Sequence, residues 1–257
     1  MILRSRSIFL VLSFLINCSS FPFLRKEKND YFNYFESNFQ CHSNAGWRNS
    51  DLYSRYQELL WNPLRNKYND DNIKIKTANT VIVGNSLIQL FEDRLIQKEF
   101  PGLVVQGRGI AGDMTESLRA RLKDNVFALN PKNIIIEIGG NDIIYGKCLS
   151  YTENNIRGII EDIQAYDKKI KIIFLSVPPT KNTILNSVVP ALNATIQNLA
   201  REYNFVYLDL WKQMRHPDLP VIKDEYVRYA EFGKMDKIHF NEKGYEVIGQ
   251  LVRPLIK

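Results

Sequence analysis

The 257 residues are 45% hydrophobic, 24% charged and 12% aromatic, with a formal charge of +6 and three cysteines. These proportions exclude collagen-like, coiled-coil-only and fully disordered chains, and three cysteines are too few for a disulfide scaffold. Arg4 and Arg6 supply two of the positive charges, leaving +4 from Cys18 onward. With no dense Lys/Arg block and no basic-aromatic interleaving, no nucleic-acid partner is expected.

Arg4 and Arg6 precede Ile8-Phe9-Leu10-Val11-Leu12-Ser13-Phe14-Leu15-Ile16, an apolar run with Ser13 as its one polar interruption. That is the length of an export-signal core, and a spanning helix needs about 20 apolar residues. The following Leu15-Ile16-Asn17-Cys18 resembles a bacterial lipobox, in which the cysteine thiol is acylated and becomes the new N-terminus. The expectation is a signal peptide over residues 1–17, lipidation at Cys18, and export to the bacterial cell envelope with membrane contact through the lipid. Cys41 and Cys148 could pair in an oxidising compartment, but no sequence feature shows them close together.

Residues 18–77 form an aromatic-rich extension: Phe21, Phe23, Tyr31, Phe32, Tyr34, Phe35, Phe39 and Trp47 are too many aromatics for a solvated tether. A helix is predicted over 51–61, with Leu52, Tyr56 and Leu59-Leu60 inward and an end near Pro63. The extension either packs against the main domain or offers a substrate flap or partner surface.

From residue 78 to 257 short apolar runs alternate with helical patterns. Strands are predicted at 80–83, 103–105, 133–138, 172–175 and 205–208. Between them lie a helix carrying Leu87, Phe91 and Leu95 on one face, a helix with Leu118, Leu122 and Val126 inward, a helix near 152–166 and one over 183–203. Asp113-Met114-Thr115-Glu116 reads as a capping box for the second of these, and Asn241 as the cap of a last helix burying Ile248, Leu251, Val252 and Leu255. Continuous β-branched strands alternating with helices imply an α/β fold, a three-layer α/β/α sandwich around a mostly parallel five-stranded sheet.

Ligands bind beyond the carboxyl ends of parallel strands. There the first three strands run into Gly84-Asn85-Ser86, into Gly107–Asp113 and into Gly139-Gly140-Asn141-Asp142. A serine at such a turn can present its Oγ, and its N–H, that of Gly112 and the Asn141 amide can serve as oxyanion donors. Of His42, His216 and His239, the last sits in Asp236-Lys237-Ile238-His239, where Asp236 can fix the tautomer and leave Nε2 to take a proton from Ser86.

These four blocks, in this order, resemble the SGNH, or GDSL, hydrolase superfamily over residues 78–257. The resemblance implies a flavodoxin-like sandwich and hydrolysis of esters or thioesters without metal or other cofactor. It implies Ser86 as nucleophile, His239 as base, Asp236 as its partner, and Ser86, Gly112 and Asn141 as the oxyanion hole. Asn85 departs from the family's usual Asp before the serine. Small-molecule or glycan-linked acyl esters are the expected partners. An acyltransferase using the same site, or a non-catalytic envelope protein binding acylated glycans or lipids, is the alternative.

Gly107-x-Gly109-x-x-Gly112 also matches a dinucleotide fingerprint, but the acid expected after the next strand is missing. Arg108 is either a solvated charge or an anion contact. Asp142 is expected to secure its own turn. Trp211, Met214 and Tyr226 either line an acyl or leaving-group pocket or pack.

Overall fold

The computed structural model describes residues 31–256. The expected signal peptide over 1–17 and the expected lipidation site Cys18 lie outside the described residues, as do Phe21 and Phe23.

The extension begins as irregular chain and then forms α1 (Ser50–Tyr56), a π-helical turn over Gln57–Trp61, and α2 (Asn62–Ile75). The helix thus runs through Pro63 instead of ending there. The wider turn, in which the Asn62 N–H donates to the Gln57 carbonyl, reaches Pro63 where α2 restarts, and a proline in a first turn has no bond to lose. Tyr56 and Leu60 point inward, whereas Leu52 and Leu59 are exposed.

The main domain alternates β1 (Thr80–Gly84), α3 (Ser86–Gln89), α4 (Asp93–Glu99), β2 (Val105–Gly109), α5 (Thr115–Asn125), β3 (Asn133–Glu137), α6 (Gly140–Ile144), α7 (Leu149–Tyr166), β4 (Lys171–Leu175), α8 (Thr183–Tyr203) and β5 (Val206–Leu208). These strands make one parallel sheet in the order β2-β1-β3-β4-β5. Strand alternation sends Val81, Val83, Ile134 and Ile136 towards α5, α7 and α8, and Ile82 and Ile135 towards α3, α4 and the last helix. All six are fully buried, each contributing roughly 1.5–3 kcal/mol. The fold is the three-layer α/β/α sandwich.

Two elements differ from the expected ones. The second strand starts at Val105, because Leu103 is held in a turn by its bond to the Phe100 carbonyl, and it continues through Gly107-Arg108-Gly109. Glycine disfavours strands, yet a Cβ on Gly109 would lie 2.1 Å from the Gln89 nitrogen, so close packing of α3 requires it. The predicted helix bearing Leu87, Phe91 and Leu95 is split into α3 and α4, although all three side chains are buried.

After β5 come α9 (Leu210–Met214) and an antiparallel hairpin of β6 (Val227–Tyr229) and β7 (Met235–Phe240), a second sheet that the apolar pattern did not announce. The chain closes with α10 (Glu242–Val252), capped by Asn241 Oδ1 on the Lys243 N–H. Ile248 and Val252 are buried, whereas Leu251 and Leu255 are half-buried.

The extension packs on the main domain: Trp47, Tyr56, Leu60, Trp61 and Tyr68 form one cluster with Ile110, Ala111 and Met114. Cys41 and Cys148 are joined by a disulfide, flanked by His42 N–H to the Gly146 carbonyl at 3.1 Å and Cys148 N–H to the His42 carbonyl at 3.0 Å. The bond closes a loop of 107 residues, so Cys148→Ser should lower unfolding free energy by about 2–4 kcal/mol. Denaturant titration of the oxidised protein against the variant measures the loss.

Candidate active site

Gly84 ends β1 and Asn85 caps α3, its Oδ1 accepting the Leu87 N–H at 2.9 Å. This bond fixes the turn that places Ser86 at the carboxyl edge of the sheet. At the other end of the sequence, Asp236 Oδ1 accepts the backbone N–H groups of Ile238 and His239 at 2.9 and 3.0 Å. That loop within β7 leaves Asp236 Oδ2 facing His239 Nδ1 at 2.8 Å, while His239 Nε2 lies 2.9 Å from Ser86 Oγ. Burial alone would raise the Asp236 carboxyl, but the hydrogen bond and charge of His239 and the two backbone amides outweigh it and hold it well below the usual range. Arg228 adds a contact at 3.4 Å. His42 instead meets the Tyr145 carbonyl and His216 the Asp218 N–H.

Gly112 adopts φ +82°, and a Cβ there would sit 2.9 Å from the Tyr56 ring. Contact with the extension and the positive φ both account for the absence of a side chain. Asn141, in the first turn of α6, donates through Nδ2 to the Asp113 carbonyl at 2.9 Å, which ties the third block to the Gly112 turn and leaves its second N–H for another acceptor.

Several expectations about neighbours change. Asp113 does not cap α5; Met114 does, its N–H bonded to Ser117 Oγ. Asp113 is fully buried, accepting from Trp61 Nε1 and pairing with Arg121, both at 2.8 Å; burial pushes its pKa up against those partners. Asp142 does not stop at its own turn: its carboxylate accepts the Thr115 N–H and hydroxyl at 3.1 and 2.5 Å, stitching α6 to α5. Burial pushes it up to about 7, with the Thr115 bonds opposing. Arg108 is neither solvated nor an anion contact. It is buried, donates to Asn72 Oδ1 and stacks on Tyr68 at 5.0 Å.

A cavity of about 40 Å³ adjoins Ser86, lined by Asn85, Glu137 and Asn141 and by apolar Ile143, Val177, Leu185, Val189 and Ile238 among others. Trp211, Met214 and Tyr226 do not line it; they pack against the two main cores. Val177 and Pro178, which follow β4, form one wall. Glu137 was missed as a cavity residue, because nothing in an isolated Ile-Glu-Ile run marks the acid as inward. A larger open depression of about 830 Å³ around Asn69, Lys123 and Tyr166 shares no residue with this cavity. Among the described residues no cluster of three His, Cys, Asp or Glu side chains could hold a metal ion.

Known proteins share the family and the fold. Residues 82–247 match the GDSL-like Lipase/Acylhydrolase family. Thioesterase 1/protease 1/lysophospholipase L1 of Escherichia coli K12 is 26% identical over 137 residues, 53% of this chain and 59% of that protein. The match therefore spans little more than half of that relative's length. Among solved structures, a GDSL-like lipase from Bacteroides thetaiotaomicron superposes with a TM-score of 0.64 at 23% identity, covering 75% of this chain and 96% of its own. An acetyl xylan esterase gives 0.55 at 21%, covering 66% and 96%; at these identities the likeness concerns the fold. With the fold, the four blocks and a match over more than half of its length, the chain belongs to the GDSL-like lipase/acylhydrolase family.

Proposed function

We propose that the protein is a serine esterase working through an acyl-enzyme on Ser86. The reading is carried by the continuous Asp236–His239–Ser86 relay, with separations of 2.8 and 2.9 Å. Ser86 Oγ attacks the acyl carbonyl as His239 Nε2 takes its proton, and ionised Asp236 stabilises the imidazolium. The N–H groups of Ser86 and Gly112 and the free N–H of the Asn141 amide receive the oxyanion. His239 then protonates the departing alcohol or thiol, and water, deprotonated by the same imidazole, releases the acid.

The small apolar cavity supports a short acyl group. About 40 Å³ between Ile143, Val177, Leu185, Val189 and Ile238 suits an acetyl group and leaves little room for a long chain. The substrate is then a small-molecule or glycan-linked short-chain ester or thioester. Asn85 caps the serine turn through its side-chain oxygen, a bond that an aspartate would make equally. It therefore does not favour the non-catalytic reading.

The Cys41–Cys148 bond supports placement in an oxidising compartment, consistent with export and an N-terminal lipid anchor at Cys18.

Ser86→Ala should keep the fold and lose both turnover and the covalent adduct with a fluorophosphonate, read by intact mass; turnover in that variant would overturn the mechanism. Asn141→Ala should lower kcat by about 10²–10³, and kcat/KM for p-nitrophenyl acetate should exceed that for the octanoate by roughly tenfold or more. Labelling cells with a clickable palmitate analogue tests the anchor: the wild-type chain should take up label and Cys18→Ser should not.

A further inference from the structure

The β6–β7 hairpin carries Asp236 and His239 on β7, while its far end stands clear of the fold. Residues 231–235 are exposed without interruption, and a Cβ added to Gly233 would meet open space. At the tip Phe232 is fully exposed and holds φ +58°, a left-handed conformation that is costly for a bulky residue and here secures no packing. Tyr229 and Met235 face each other across the hairpin and are exposed as well, and residues so paired share one face of a sheet. Large apolar side chains grouped on a projecting tip mark an interaction surface.

Charge and chain path indicate what covers it. Lys234 and Lys237 are exposed on the same hairpin and Glu231 is the acid at its tip, while Arg228 is engaged by Asp236 and Lys181 by Asp224. Positive charge is therefore in surplus around the apolar group, which suits an anionic surface. The Lys181 N–H donates to the Lys237 carbonyl at 3.0 Å, bringing the start of α8 and its exposed Ile184 to the same rim. The extension also enters on this edge. A Cβ on Gly146, just after α6, would lie 2.8 Å from the Phe32 ring, and the Tyr34 hydroxyl donates to the Lys147 carbonyl at 2.6 Å. Tyr31 follows Cys18, the expected lipidation site, by 13 residues, so an acyl group there would hold this edge within about 45 Å of a bilayer.

We propose that the β6–β7 tip docks on an anionic lipid bilayer, with Phe232, Tyr229 and Met235 entering the interfacial layer and Lys234 and Lys237 meeting the headgroups. Aromatic side chains favour that layer, and lysines beside it are drawn to anionic lipid. Phe232 is seven residues from His239, so docking sets the Ser86–His239 pair within about 25 Å of lipid. The docking does not rest on the esterase reading, because the hairpin tip takes no part in the proposed chemistry.

The test uses the full chain carrying Cys18→Ser, so that no acyl group is attached, with the environment-sensitive dye NBD placed on Phe232→Cys. The control carries the dye on Val104→Cys, exposed just before β2 at the opposite edge of the sheet. Both labelled chains should unfold at the Tm of the unlabelled chain. On vesicles of phosphatidylethanolamine and phosphatidylglycerol the dye at 232 should shift to the blue and be quenched by doxyl-labelled lipid, and the dye at 104 should do neither. Adding Lys234→Gln and Lys237→Gln should raise the lipid needed for half the shift roughly 30-fold, about fivefold per charge. A response at 232 no greater than that at 104, or one that the two lysines do not alter, overturns the proposal. A blue shift that grows with protein concentration without vesicles overturns it too, since a second copy of the chain would then cover the tip. The readout needs no turnover, so it decides the docking whether or not Ser86 reacts with the fluorophosphonate.

Discussion

Arg121 holds together the carboxyl edge of the sheet beside Ser86. Its guanidinium has no exposed surface. It donates to Asp113, to the Gly84 carbonyl at 3.1 Å, to the Arg108 carbonyl at 2.8 Å and to Asn125. One side chain thus gathers the ends of β1 and β2, the turn before α5 and the helix itself. Removing either half of a buried pair leaves an uncompensated charge, which costs roughly 3–5 kcal/mol.

The same constraint explains why the aromatic extension cannot be separated from the hydrolase fold. Trp61 completes Asp113, Tyr56 packs on the Gly112 turn, and Tyr68 donates to the Gly109 carbonyl at 2.7 Å. Lys147, buried next to the disulfide, bonds Glu116 and the Asn44 carbonyl. The loops that carry Gly112 and Asn141 are therefore supported from behind by residues 44–72, outside the stretch that matches the family. Asp142 adds the tie between α5 and α6.

Much of this was legible in the sequence where burial follows periodicity. The β-branched runs around Ile82, Ile135 and Ile173 became central strands because both of their faces are covered, and α8 filled its predicted span. Ser86, Asp236 and His239 were legible because chemistry confines them to strand ends and to a three-residue spacing. Other features depend on tertiary partners and leave no periodic trace. Arg108, Asp113, Arg121 and Glu137 look like surface charges until the structure shows what surrounds them. Pro63 signals a helix end unless a π-helical turn precedes it. The β6–β7 hairpin is short and interrupted by a bulge near Tyr229, so its alternation was too brief to register.

The bonds that complete the site join opposite ends of the chain: Ser86 and His239 are 153 residues apart, and Tyr245 reaches Leu87 across 158. A ribosome delivers the serine turn long before it delivers the imidazole. Through most of synthesis the Ser86 hydroxyl thus lacks the imidazole that it meets in the finished fold. The Tyr245 bond to the Leu87 carbonyl ties α10, which directly follows the His239 strand, to the serine helix. On the esterase reading proposed above, chain order keeps the serine without its base until synthesis is nearly complete.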